Sequence, residues 1–122
     1  MKQASLSTPF GDLTLTEEDG AITALGWGQA ARQDRSDLLV AALRQLKEYA
    51  TGERQSFDLP LRVMGSDFQR AVCTAILAIP FGHTRTYGEI ARDLGVPAQA
   101  VGGACGGNPI PVIIPCHRVM GA

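Results

Sequence analysis

The sequence predicts an α/β protein in two parts: a small antiparallel sheet with one helix, then a helical domain containing a helix-turn-helix and resembling a winged helix. Three observations predict this fold. Apolar and polar residues alternate in the first third, amphipathic helical stripes follow, and two short helical segments flank Gly95. An extended connector around Pro60 places the boundary, which gives domains 1–56 and 57–122.

Turn signals delimit the strands of the N-terminal domain. Thr8-Pro9-Phe10-Gly11 and Asp19-Gly20 separate alternating segments, which predicts a meander of two or three strands, with Trp27 packed on the sheet. Ser36 is a predicted N-cap, and the apolar stripe that follows, from Leu38 to Tyr49, predicts an amphipathic helix. We expect this helix to cover one face of the sheet.

Cap and stop signals also define the helices of the C-terminal domain. Ser66 caps a predicted helix that ends before Pro80, and Thr86 caps another that Gly95 ends. A second short helix of small residues begins after Pro97. Spacing alone fits a helix-turn-helix and an ordinary helical hairpin equally well. The small side chains favour the helix-turn-helix, because they let the second helix lie very close to another surface.

The amino-acid composition limits the classes of protein to which the chain can belong. The chain has 122 residues, of which 45% are apolar and 19% charged, as expected for a soluble globular protein. The longest uncharged apolar run, 110–116, contains prolines and is too short to cross a bilayer, and no secretory signal is visible at the N-terminus. Three cysteines without paired spacing predict a reducing compartment, hence a cytoplasmic location. We expect a monomer with no membrane partner.

Charge is distributed unevenly along the chain. The net charge is −1, with six Lys or Arg against nine acidic residues in 1–61 and five Arg against three acidic residues in 62–122. Proteins that bind nucleic acid through many phosphate contacts are usually more basic. If the second half binds DNA, backbone amides and shape must do much of the positioning.

The segment from Asn108 to Val119 carries the strongest chemical signal. Cys116 lies between a proline and two residues that can carry positive charge, which is an environment that stabilises a thiolate. Pro115 disfavours a regular strand and places the cysteine on a tight turn. His117 would reach the sulfur through water. Composition alone favours the plainer interpretation of Cys116 as a small core residue.

The other cysteines also have plain interpretations. Cys73 lies on a helical stripe and Cys105 ends the small-residue helix, so we expect both to pack in the core. A zinc site of Cys105, Cys116, His83 and His117 is conceivable, but no CxxC spacing supports it, and we predict no metal.

Pro115-Cys116-His117-Arg118-Val119, preceded by Asn108-Pro109-Ile110-Pro111, resembles the active-site signature of the O-6-alkylguanine-DNA alkyltransferases, the methylated-DNA–protein-cysteine S-methyltransferases. The resemblance extends over about residues 57–122, and over 5–52 only through the strand-and-helix pattern and the first turn. The upstream segments that fit the family are Phe68-Gln69, Ile79–Gly82, Thr86–Ala91 and Ala100–Ala104.

The resemblance implies direct-reversal DNA repair on double-stranded DNA. Family members flip the damaged guanine out of the duplex, because the alkyl carbon on O-6 cannot be reached inside the base stack. Cys116 would take the methyl or alkyl group irreversibly, with O-4 of thymine as the alternative lesion. Each chain would act once, without a metal or organic cofactor.

The resemblance also implies roles around the cysteine. His117 would accept the thiol proton, and the family orients this histidine with a glutamate. Asn108 matches the asparagine that ties the recognition helix to the active-site turn. Arg118 either contacts phosphate or braces the turn by pairing with a carboxylate, and we favour bracing.

DNA contacts are implied for the helix-turn-helix. Tyr87 matches the tyrosine near the target phosphate that helps rotate the nucleotide; packing on the core is the alternative. Arg85 is a candidate phosphate contact. Family members usually place an arginine in the gap left by the flipped base, where this chain has Gln99, so we expect weaker DNA binding. The remaining predicted DNA-binding residues are Ala100, Gly102 and Gly103.

The resemblance leaves two expectations open. Family members continue beyond the signature into a covering loop and a final helix with the orienting glutamate, whereas the sequence stops at Ala122. We therefore expect reduced transfer activity for the chain as written. The alternative functions are a non-catalytic binder of alkylated DNA, against which Cys116 counts, and a helix-turn-helix regulator. For the regulator, Gln99 alone offers base-edge readout.

Overall fold

The chain forms two compact units, and a computed structural model describes residues 1–121. The first unit is Met1–Arg62 and the second begins at Val63. The boundary therefore falls after the predicted one at residue 57. Residues 57–62 belong to the first unit because Ile22 exchanges backbone hydrogen bonds with Pro60 and Arg62, at 2.9 and 3.0 Å.

The sheet of the first unit is a three-stranded antiparallel meander, as predicted. Its strands are β1 (Lys2–Thr8), β2 (Gly11–Glu18) and β3 (Ala21–Trp27), in the order β1-β2-β3. Asp19 and Gly20 both have positive φ, which is the backbone that a tight two-residue hairpin requires. Trp27 lies at the end of β3 and is 64% exposed, but its ring is 3.9 Å from the position that a Cβ atom on Gly11 of β2 would occupy, so it contacts the sheet with one part of its surface.

One helix, α1 (Asp37–Ala50), packs on β1 and β2. Its N-cap is Ser36, whose hydroxyl accepts a hydrogen bond from the Leu39 amide, as predicted. The buried face of α1 includes Leu39, Ala42 and Leu46, so the predicted stripe faces the sheet. The first unit thus has its own core.

The described part of the second unit, 63–121, contains three α-helices, one 3-10 helix and a small parallel pair of strands. Its elements are α2 (Asp67–Leu77), β4 (Arg85–Thr86), α3 (Tyr87–Leu94), α4 (Ala98–Gly106), a 3-10 helix (Cys116–Arg118) and β5 (Val119–Met120). Packing of α4 against both α2 and α3 builds a core of aliphatic side chains. Its fully buried members include Val72, Ile76, Ile90, Val101, Ile110 and Ile114.

The helix-turn-helix is formed by α3 and α4. Thr86 and Glu89 form a capping box: the Thr86 hydroxyl accepts from the Glu89 amide, and the Glu89 carboxylate accepts from the Thr86 amide. Gly95 ends α3 in the left-handed conformation, with φ of 69°. Both predicted boundaries of this helix are confirmed.

Within residues 1–121, no helix is both long enough and apolar enough to span a membrane.

Candidate active site

Cys116 opens the 3-10 helix directly after Pro115. Its amide donates to the Ile114 carbonyl at 2.8 Å, and its own carbonyl accepts from the Val119 amide. The residue is half-buried and its thiol is free. The prediction of a tight turn is confirmed, and part of the Cys116 residue remains exposed to solvent.

Asn108 closes the loop that leads to the cysteine. Its side-chain nitrogen donates to the Ile114 carbonyl at 2.9 Å, and its side-chain oxygen accepts from the Ile110 amide at 3.0 Å. The Ile114 amide also donates to the Ile110 carbonyl at 2.9 Å. Asn108 therefore holds both ends of the loop just before Cys116.

At the top of this loop, Val112 has a backbone that its residue type disfavours. Its φ is 72°, in the left-handed region, where a β-branched side chain is strained. The two hydrogen bonds of Asn108 enclose this residue on either side. Val112 had no predicted role, because nothing in the sequence signals a positive φ at a valine.

His117 follows the thiol on the 3-10 helix and is exposed. Partial desolvation, together with the positive charge of Arg118, lowers the pKa of His117. Its neutral form, which can accept a proton, is therefore favoured near neutral pH. No carboxylate within residues 1–121 forms an ion pair with His117; Glu89 is engaged by Thr86 and Asp93 by Arg85.

Arg118 braces the cysteine turn through a backbone carbonyl and an aromatic ring. One guanidinium nitrogen donates to the Ile79 carbonyl at 2.8 Å, and the guanidinium carbon lies 5.5 Å from the Phe81 ring centroid. We expected a carboxylate partner; within residues 1–121 the Arg118 guanidinium instead donates to a backbone carbonyl. The carbonyl partner is 39 positions away in sequence, which no local pattern reveals.

The turn is also tied to the start of α3. Strand β5 directly follows the 3-10 helix and pairs in parallel with β4, with Arg85 opposite Val119. Tyr87 begins α3 immediately after β4 and is half-buried. The structure therefore brings the cysteine turn close to the predicted DNA-contacting residues Arg85 and Tyr87.

The other two cysteines are core residues, as predicted. Cys73 is 1% exposed and Cys105 is 8% exposed. Burial raises the pKa of both thiols, and for Cys73 the hydrogen bond from Gln69 offsets only part of this rise. Both should remain protonated and inaccessible, so Cys116 is the thiol suited to act as a nucleophile.

The four conceivable zinc ligands do not assemble into a site. Across residues 1–121, no group of three or more His, Cys, Asp or Glu side chains could hold a metal ion. His83 is exposed on the loop before β4.

Helix α4 presents a surface of very small residues. A Cβ atom added to Gly102 or Gly103 would meet no heavy atom within 4 Å, so the packing of this unit does not require glycine at either position. Gln99 is exposed in the first turn and Ala100 is half-buried. This surface is free to approach another molecule closely.

Arg85 lies beside α3 and already has a partner. Its guanidinium pairs with the Asp93 carboxylate at 2.7 Å, and the Arg85 side chain is partly exposed. An exposed pair of this kind contributes little stability, so the arginine can exchange its partner at small cost.

Fold and site together define a class: a helix-turn-helix protein that carries an accessible cysteine on a clamped turn after its second helix. Two family models match the chain. The 6-O-methylguanine DNA methyltransferase ribonuclease-like domain matches residues 1–63, and the DNA binding domain of the same family matches residues 67–122.

Similar proteins agree with these matches. A methylated-DNA–protein-cysteine methyltransferase of Mycolicibacterium paratuberculosis is 42% identical over 97% of this chain and 77% of that protein. The constitutive enzyme of that name from Bacillus subtilis is 39% identical over 93% of this chain and 77% of its own length. A crystal structure of Mycobacterium tuberculosis OGT in complex with DNA has a TM-score of 0.89 and 41% identity, covering all of this chain and 80% of that one. The chain belongs to the 6-O-methylguanine DNA methyltransferase family.

Proposed function

We propose that this protein repairs DNA by direct reversal, moving a methyl group from O-6 of guanine to Cys116. The observation that carries the proposal is the half-buried Cys116, with its free thiol, on the turn that Asn108 and Arg118 hold beside the helix-turn-helix. Relatives over nearly the whole chain are named methylated-DNA–protein-cysteine methyltransferases, which supports the same chemistry.

In the proposed reaction, sulfur displaces guanine from the methyl carbon. A bond forms between the Cys116 sulfur and this carbon as the carbon–oxygen bond breaks. The electron pair of the broken bond stays on the guanine oxygen, and the restored base takes up a proton. Because a thioether has no good leaving group, the thiol is not regenerated and each chain acts once.

His117 is the proposed proton acceptor. Adjacent side chains on a 3-10 turn do not face one another, so the thiol proton would pass through a water molecule. The lowered pKa of His117 supports this role, since the neutral imidazole is available at neutral pH. Arg118, fixed by the Ile79 carbonyl, would keep the turn in place during attack.

Helix α4 is the proposed DNA-facing element. Its glycines permit close approach to a groove wall, while Gln99 would fill the space left by the flipped base. Tyr87 and Arg85 would contact the backbone near the target nucleotide. A solved relative in complex with DNA supports a DNA partner.

Free thiols at all three cysteines suit a reducing cytoplasm.

The test is removal of the lesion from a defined duplex. The protein is mixed with duplex DNA containing one O-6-methylguanine, and the remaining lesion is counted by nucleoside chromatography at several protein-to-DNA ratios. We expect one lesion lost per chain and no further turnover, with no loss for C116S. Binding without lesion loss would favour the non-catalytic binder, and preference for one undamaged sequence would favour the regulator.

A further inference from the structure

Gln69, in the first turn of α2, connects this helix to α4. Its side-chain amide nitrogen donates to the Ala104 carbonyl at 2.8 Å and to the Cys73 sulfur at 3.6 Å. An amide nitrogen has two donors, and both are used. The residue is half-buried, and its side-chain oxygen lies next to Gly107.

Helix α4 needs support from outside itself. Its N-cap is Pro97, which makes no side-chain capping bond, and adjacent glycines at 102 and 103 lower its helix propensity. The Ala104 carbonyl lies in the last turn of α4, where it accepts from the Gly107 amide at 3.2 Å as well as from Gln69. Gln69 therefore adds, from another helix, a second hydrogen bond to the last turn of α4, beside the one from its C-cap residue Gly107.

The residues that follow Ala104 lead directly into the loop before Cys116. The Gly107 amide donates to the Gly103 and Ala104 carbonyls, and the Asn108 amide donates to the Cys105 carbonyl. The hydrogen bonds that Asn108 makes across its loop do not involve Gln69. Loss of Gln69 should loosen α4 while leaving the Asn108 loop closed.

We propose that Gln69 is a positioning residue that holds α4 for DNA binding and base extrusion, an inference that rests on the function proposed above. It acts through α4 and does not touch the reacting atoms. Duplex DNA would contact α4, whereas a free O-6-benzylguanine base carries no backbone and no neighbouring base pairs that could contact this helix. The two substrates therefore separate the role of Gln69 from that of Cys116.

The experiment compares Q69L and Q69E with wild-type protein. Both substitutions remove the two amide donors, and glutamate keeps the shape. T74A is the matched control, because it removes a hydrogen bond confined to α2, from the Thr74 hydroxyl to the Arg70 carbonyl. Each protein is assayed for duplex affinity, for single-turnover rates with duplex and with free O-6-benzylguanine, and for hydrogen exchange of amides 98–106.

We expect both Gln69 variants to bind duplex DNA about fivefold more weakly, the factor that one hydrogen bond typically contributes. Exchange of the α4 amides should accelerate by a similar factor, while the free-base rate stays at the wild-type value. T74A should match wild type in all four measurements.

Wild-type affinity in both Gln69 variants would overturn the proposal. An equal fall of the duplex and free-base rates would also overturn it, because the effect would then lie in the cysteine turn. If the wild-type protein removes no lesion, the proposed function fails, while affinity for undamaged duplex and exchange of α4 still decide the role of Gln69.

Discussion

Burial separates the three cysteines into two kinds. Cys73 and Cys105 lie in the core, where desolvation raises their pKa values, whereas Cys116 is half-buried on a turn. A nucleophile must be reachable and able to lose its proton. Only Cys116 of the three meets the first condition, so the reactivity of the chain should reside at this residue.

The pH dependence of transfer should report on His117. Because its pKa is lowered from the ordinary value of roughly 6.5, the neutral base persists to lower pH. We expect the single-turnover rate to fall only below roughly pH 6.5, as the imidazole becomes protonated. H117Q should be slower by about a hundredfold and should lose this acidic inflection. An unchanged inflection in H117Q would assign it to another group.

The positive φ of Val112 should affect the stability of substituted proteins. Inside a helix or strand, glycine in place of alanine lowers the stability of a protein by roughly 0.5–1 kcal/mol. At a φ of 72° the order should reverse, because alanine is strained there and glycine is not. We expect V112G to exceed V112A by about 1 kcal/mol in the free energy of unfolding, measured with urea. The usual order would mean that Val112 is not held in the left-handed conformation.

At the scale of elements, α4 shows a conflict between stability and the proposed function. Gly103 is exposed and has open space where a Cβ atom would lie, yet glycine weakens the helix. G103A should therefore raise the free energy of unfolding by about 0.5–1 kcal/mol. Duplex affinity should fall along the series G103A, G103V, G103L, because larger side chains separate α4 from the groove.

Thermal melting and fluorescence anisotropy with a labelled duplex measure these two quantities. If the duplex affinity of these variants does not decrease with side-chain size, Gly103 does not lie on the DNA-facing surface.

Local signals predicted the elements well. Ser36, Ser66 and Thr86 all cap helices as expected, and Gly95 ends α3, because caps and stops depend on neighbouring residues alone. Contacts between distant residues were not predictable in this way. The Arg118–Ile79 and Gln69–Ala104 hydrogen bonds join residues 39 and 35 positions apart, and their partners are backbone carbonyls that every residue carries.

In the predicted site, too, local features were predictable from the sequence and features imposed by the fold were not. Asn108, Cys116, His117 and Arg118 come together because one short segment contains them all. Val112 escaped prediction because its backbone angle is imposed by the closed loop. The first unit ends at Arg62, beyond the boundary predicted near residue 57, because the connector pairs with β3. The sequence of the connector indicates only that it is extended.

At the scale of the whole molecule, charge points to a small DNA footprint. The net charge is −1, and several arginines of the second unit already have partners: Arg70 pairs with Asp67, Arg85 with Asp93, and Arg118 donates to the Ile79 carbonyl. Affinity that rests on many phosphate contacts would need more free cations. Shape and the close approach of α4 should supply much of the positioning.

Cys116 is identified as the acceptor most directly by locating the transferred methyl group within the chain. After reaction with duplex DNA carrying O-6-methylguanine, the protein is digested, and tandem mass spectrometry of the peptides that contain the three cysteines assigns the methyl group to one residue. We predict one methyl group per chain, all of it on Cys116, with Cys73 and Cys105 unmodified. A methyl group on Cys73 or Cys105, or none on any cysteine after the lesion has been lost, would show that Cys116 is not the acceptor.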